Sequence, residues 1–334
     1  MPFKIEFCNY GLLFSINYKL KHAYIYCKPQ YNSIMLKKKV LLITTTFLLL
    51  SLFSLSQSFE KRFRDLSARN DTVGQVKLLK EWELMNPKDP ELFIGYFNFF
   101  VRQSMTEVVS IDKNKNDEHS IVLNDTGTGK PVGYLNSSTK YNSRILQKGF
   151  DYIDHGIALY PTRLDMRFGK IYMLGQAANF SEFTREIIKT IDYGYQIKDA
   201  WVWKQGKPLE AAKQFFLGSM QDYVNTIYNV EDNDLIPYMR QISEEVLKYN
   251  PEHVESLSNV ALTYLIIGEY DKALPYLLKA ETFAPKDIIV LNNIAEAYKR
   301  KNDVANARIY YEKIVKYGNK EEAQDAKEKI KNLK

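Results

Sequence analysis

The sequence predicts an all-α fold in which antiparallel helix pairs stack on one another, and three observations carry that expectation. From Val254 to Asn319 the chain repeats itself 34 residues apart: Leu257 matches Leu291, Val260 matches Ile294, Ala261 matches Ala295, Tyr264 matches Tyr298 and Ala273 matches Ala307. Self-similarity at such a period belongs to stacked two-helix units, each of which buries its apolar face only against its neighbours. The apolar positions within a unit stand at i, i+3, i+4 and i+7, one face of a helix. Finally, Pro87, Pro161, Pro251 and Pro285 punctuate the chain where second helices of successive units should stop, because proline has no amide hydrogen to continue a helical ladder.

The residues Ala261-Leu262-Thr263-Tyr264, Gly268, Tyr270, Asp271-Lys272-Ala273-Leu274, Ala280 and Pro285 resemble the tetratricopeptide repeat position by position. The resemblance implies a right-handed superhelical solenoid that displays a concave surface from its first helices to a protein or peptide. The second unit departs from the pattern at Ile314, where the family has a small residue, and at Asn319, where it has proline. Both departures suit a terminal unit. Residues 320–334 are charged with sparse apolar positions, as expected of a capping helix with one wet face.

The 334-residue chain carries a formal charge of +6, with 46 basic and 40 acidic residues. Seven lysines and one glutamate fall in residues 1–56, which leaves 39 of each sign in the remainder. That balance gives nucleic-acid binding no support. Residues 35–56 read as a signal peptide: Lys37-Lys38-Lys39, an uncharged run from Val40 to Leu55, then Ser54 and Ser56 in a small-x-small arrangement. Cleavage after Ser56 is expected, and membrane contact only through this segment if it is retained. Residues 1–34 then read as a non-native leader ahead of a true start at Met35. Both cysteines, Cys8 and Cys27, lie in it, so no disulfide or thiol chemistry is expected of the exported protein. The expected location is the periplasm or exterior of a Gram-negative bacterium.

Residues 57–253 read as degenerate units ahead of the two regular ones at 254–319. Phe59, Phe63 and Leu66 line a first helix, Asp71 or Thr72 caps a second, and Trp82 faces the core. The next unit opens at Pro90 and shows a heavily aromatic face, Phe93, Tyr96, Phe97 and Phe100, before a partner helix over Ser143 to Tyr160. Between them, near 105–141, lies an insertion that reads as a β-hairpin with a turn at Asp125 to Lys130. Gly127-Thr128-Gly129-Lys130 lacks the first glycine of a phosphate loop, and Pro131 follows the lysine. A third unit, with Phe168-Gly169 and Tyr172, leads into an irregular stretch, Gly194 to Pro208, that holds Trp201 and Trp203. Core anchoring is the favoured reading of this pair, and stacking on a glycan the alternative. A fourth unit runs from Phe215 through Ile227, with Asp234 expected to cap its second helix.

No catalytic residue, metal set or cofactor motif emerges. His119, His155 and His253 stand in no zinc spacing, and no GxSxG or cysteine nucleophile occurs after residue 56. The expected function is therefore non-catalytic binding. Candidate contacts on the first helices are Ser258, Asn259, Leu262, Asn292, Asn293, Glu296 and Lys299, with Trp201 and Trp203 for the glycan alternative. The resemblance further implies that Asn259 and Asn293, one unit apart, could grip a terminal carboxylate, although Glu255 and Ile289 stand where such a clamp uses a cation.

Overall fold

The computed structural model describes residues 59–115 and 119–333; the expected signal peptide at 35–56 and the expected leader at 1–34 lie outside these residues. The described chain forms two compact units that divide between Pro161 and Thr162.

The first unit holds two helix pairs. Residues 59–68 (α1) pair with Thr72–Met85 (α2), and Pro90–Ser104 (α3) with Ser143–Leu159 (α4). Phe59, Phe63, Leu79, Trp82 and Leu92 form its core, with the Trp82 indole stacked on Phe59. Trp82 is thus a core residue, as expected. Its N–H finds Asp89, whose carboxylate also caps α3.

The expected hairpin is present, with Ile121–Asn124 (β2) antiparallel to Pro131–Tyr141 (β3). A third strand corrects the reading: Met105–Asp112 (β1) lies along the other edge of β3, giving the order β1-β3-β2. It emerges from α3 with no glycine or proline between them, and Val108 beside Val109 blurs the alternation that would have marked a strand. Asp125 accepts from the amides of Gly127 and Thr128 and from the Thr128 hydroxyl. The glycine-containing turn is therefore closed on its own carboxylate, with those two amides unavailable to a phosphate.

The second unit holds four pairs and a cap. These are Leu164–Gln176 (α5) with Phe180–Gln196 (α6), Ala212–Tyr228 (α7) with Ile236–Tyr249 (α8), Val254–Ile266 (α9) with Tyr270–Phe283 (α10), and Ile288–Arg300 (α11) with Val304–Tyr317 (α12). Lys320–Lys331 (α13) caps the array through a reciprocal box between Asn319 and Glu322. Alternate helices touch as stacking requires, α7 meeting α9 and α9 meeting α11, and the cap α13 packs on α12.

Two backbone devices recur and explain the helix lengths. At the turn after α9, Gly268 takes φ 77° and the Glu269 amide donates to the Tyr264 carbonyl. After α11, Asn302 takes φ 62° with the same bond from Asp303 to Tyr298. Each is a left-handed stop that satisfies an orphan carbonyl. Second helices end differently: Asn86, Tyr160, Asn250 and Ala284 leave the helical region, and each precedes a proline, which disfavours helical backbone before it. No proline follows α6. It runs on to a left-handed stop at Lys198, φ 53°, of the kind that ends first helices.

One capping expectation is corrected. Asp232, not Asp234, supplies the cap: it accepts the Asp234 amide and opens a 3-10 turn, Asn233–Leu235, that runs directly into α8. The polar cluster before α8 simply begins its helix two residues earlier than the apolar period suggests.

Candidate functional site

The residues expected to bind lie on α9 and α11, whose 34-residue relation sets Asn259 beside Asn293 and Ser258 beside Asn292 on neighbouring helices. The structure ties several of them into bonds that cross from one first helix to the next. Asn259, only 8% exposed, donates its amide to Gln221 of α7 at 2.6 Å and accepts one in return at 3.4 Å. Gln221 also donates to Asn225. On the other side, Asn292 accepts from Lys329 of α13 at 3.0 Å, and Lys329 is paired with Asp325.

Glu296 is held by three partners: the Arg300 guanidinium at 3.0 Å, Lys299 at 3.5 Å and the Tyr311 hydroxyl at 3.1 Å. Burial alone would push its carboxyl up, but the Arg300 and Tyr311 hydrogen bonds and the two cations outweigh that and hold it below the ordinary range. Ser258, Leu262 and Asn293 are half-buried, and Lys299 is exposed. The surface is thus a polar row running across α7, α9, α11 and α13. Its amides are largely pre-paired along the row, Asn259 included, so the two asparagines are not equivalent as a carboxylate grip.

Sequence reasoning missed Gln221, Asn225, Lys329 and Asp325. The repeat register could not find the first two, because the loop before α7 breaks the 34-residue count. The trace they leave is a polar i, i+4 pair on α7. The last two fall in a segment that reads as a cap.

The tryptophan loop turns inward. Trp201 is 1% exposed and stacks on Phe216 at 5.8 Å, with Arg167 over its ring. A Cβ placed at Gly194 would lie 3.1 Å from that indole, tighter than ordinary van der Waals contact, so glycine suits the close approach of α6. Trp203 packs edge-on to Phe168 and Phe215. The Val202–Trp203 strand (β4) pairs with Lys207–Pro208 (β5), and the loop is sewn to the start of α5 by a Val202 amide donating to Thr162. The buried member of the pair is an anchor, and no sugar could reach its faces.

Beside this loop a cavity of about 250 Å³ opens, floored by Ile191, Phe216 and Val246 and rimmed by Lys198, Asp199 and Lys213. Burial pushes the Asp199 carboxyl up, and nearby Lys213 offsets part of the effect. Among the described residues no group of acidic, histidine or cysteine side chains could hold a metal ion, and no helix is long and apolar enough to cross a membrane.

The pairs of helices, their left-handed turns and their proline-terminated second helices define a helical-repeat fold of stacked antiparallel pairs. No protein-family model matches the chain, and no curated protein sequence matches it. Solved structures of similar fold include PilW, a widely conserved type IV pilus biogenesis factor, at 9% identity, 81% of this chain, 97% of that one and a TM-score of 0.35. A tetratricopeptide repeat protein from Parabacteroides merdae is similar at 11% identity, 79% and 80% coverage and a TM-score of 0.33. The P58(IPK) TPR domain is similar at 11% identity, 84% and 66% coverage and a TM-score of 0.30.

Proposed function

We propose that this chain is an exported, non-catalytic scaffold that binds an extended segment of a protein or peptide along the first helices of its second unit. The observation that carries the reading is the row of Gln221, Asn259, Asn292 and Lys329, in which polar side chains bridge α7 to α9 and α11 to α13. Neighbouring helices lie about 8–10 Å apart, and an extended chain advances about 3.3 Å per residue. A bound strand would therefore meet a new helix roughly every third residue, with Leu262 offering apolar contact and Asn293 and Lys299 polar contact. Pre-paired amides are fixed in orientation before the partner arrives, which lowers the ordering cost of binding. Export rests on the signal-like segment at 35–56, and periplasmic appearance of the processed chain is its check.

The test is selection of peptides from a displayed library on the purified protein, followed by titration against Asn293→Ala, Lys299→Ala and Leu262→Glu. Loss of affinity by tenfold or more in at least one variant, with unchanged thermal stability, is expected. Peptides that bind all three variants as tightly as the parent would refute this surface as the site.

A further inference from the structure

The cavity beside the tryptophan loop is built by the ends of α6 and α8 and the start of α7, and it shares no residue with the polar row. Lys213, Phe216 and Leu217 stand at i, i+3 and i+4 on α7, so one face of that helix turns a cation and two apolar side chains toward the same space. Ile191 of α6 and Val246 of α8 complete the apolar floor. One wall is fixed in place: Tyr195 and Tyr249 stack at 4.2 Å, and the Tyr249 hydroxyl donates to Asp192 at 2.7 Å. An apolar cavity of about 150 Å³ holds one benzene ring. The space here, about 250 Å³, therefore admits a ring or branched chain together with a small polar head.

The rim carries three charges that the chain leaves unpaired. Among the described residues, Lys198, Asp199 and Lys213 make no ion pair and no side-chain hydrogen bond. Lys213 stands close enough to offset part of the burial that raises the Asp199 carboxyl, yet it forms no ion pair with it. Lys198 and Asp199 are also the one adjacent pair of non-glycine residues with positive φ among the described residues, at 53° and 56°. Such backbone is disfavoured for a side chain like lysine, and it gathers at ligand sites. Next to this turn the buried Trp201 indole N–H has no hydrogen-bond partner among the described residues, although a buried donor ordinarily has one. That nitrogen and an Asp199 carboxylate oxygen approach one point over Gly194, at 3.3 and 3.5 Å. Asp199 thus stands between an unmet donor on one side and the cavity on the other.

We propose that the cavity binds a free apolar α-amino acid, of the size of leucine or phenylalanine, as its zwitterion. The carboxylate meets Lys198 and Lys213, the ammonium meets Asp199, and the side chain lies on the floor set by Phe216 and Val246. An apolar acid without an amine would set an anion against Asp199, and an apolar amine without an acid would set a cation against two lysines. The zwitterion does neither. A polar side chain would bury its groups against the floor without partners. A residue at a peptide end carries one of the two charges and not both, so the ligand is the free amino acid.

The test is isothermal titration calorimetry of the full chain with L-leucine and L-phenylalanine, of which at least one should bind at one molecule per chain. For the tighter of the two, three analogues follow: one without the ammonium, one without the carboxylate, and the N-acetyl form, which has the charge of a peptide end. Each should bind roughly tenfold or more weakly, as expected for loss of a charged contact. Asp199→Asn keeps a residue that adopts left-handed backbone readily; it should weaken the amino acid by a similar factor and leave the ammonium-free acid unweakened. Lys213→Met should weaken both. No binding of either amino acid at millimolar concentration overturns the proposal. So does an ammonium-free acid that binds the parent as tightly as the amino acid, or an amino acid whose affinity survives both substitutions. Melting temperatures accompany each titration, and the analogue series on the parent decides the matter even where a variant unfolds.

Discussion

The Asp89 carboxylate binds the Trp82 indole N–H at 2.9 Å with one oxygen and caps the first turn of α3 through the Glu91 amide at 3.0 Å with the other. One buried acid therefore joins the end of a second helix to the start of the next first helix. Asp89→Ala should lose a cap worth about 1 kcal/mol and strand a buried N–H at a further cost of about 1–3 kcal/mol. In a Trp82→Phe background only the first term should remain, and urea denaturation of the four proteins of the cycle checks it.

Trp201 seats closely against α6 at Gly194. Gly194→Ala places a methyl group 3.1 Å from the indole, and overpacking of this kind costs about 1–3 kcal/mol. The expected result is a lower melting temperature together with a red-shifted tryptophan emission, since Trp201 moves toward water. A glycan-binding loop would instead tolerate the change in stability and lose ligand.

His253 caps α9 by accepting the Ser256 amide on Nδ1 at 3.3 Å, which leaves Nε2 to donate to Glu255 at 3.2 Å. Burial, reinforced by Lys213 and opposed by Glu255, lowers its pKa below the ordinary histidine value. A lowered histidine is neutral in the folded chain while the unfolded chain takes up a proton first, so stability falls as pH drops through the unfolded value near 6.5 and toward the folded one. His253→Asn keeps a capping acceptor and removes the titration. Melting curves between about pH 7.5 and 5 should show the parent losing more stability than this variant. Equal losses would show that His253 does not titrate differently on folding.

What the sequence made legible follows the repeat. Val254 to Asn319 disclosed its helices, turn and core because each position obeys the period, and the prolines at 87, 161, 251 and 285 marked the second-helix ends. The strand β1 stayed hidden because it continues a helix with no breaker, and Val108 and Val109 together mask a two-residue alternation. At the candidate site the register found Asn259 and Asn292 but not their partners, Gln221 and Lys329. Those partners are set by packing between helices that are distant in sequence, and no local pattern records it.

Ala280 and Ile314 occupy the same place one unit apart, and both are buried, 0% and 3% exposed. Their difference is a matter of what lies beyond. Ala280 ends α10 inside the array, where α11 packs close against it, whereas Ile314 ends α12 under the capping helix, whose buried contribution to the same core is Ala326. The larger side chain on α12 and the small one on α13 belong to one buried cluster. Ala280→Ile should therefore cost about 1–3 kcal/mol by forcing two backbones apart, and Ile314→Ala about 2–5 kcal/mol by opening a cavity beneath the cap. Restoring volume from the other side, with Ala326→Leu in the Ile314→Ala chain, should recover part of the second loss and none of the first. Guanidinium denaturation of the three variants distinguishes this from a general intolerance of the terminal unit, in which Ala326→Leu would add its own penalty instead of relieving one.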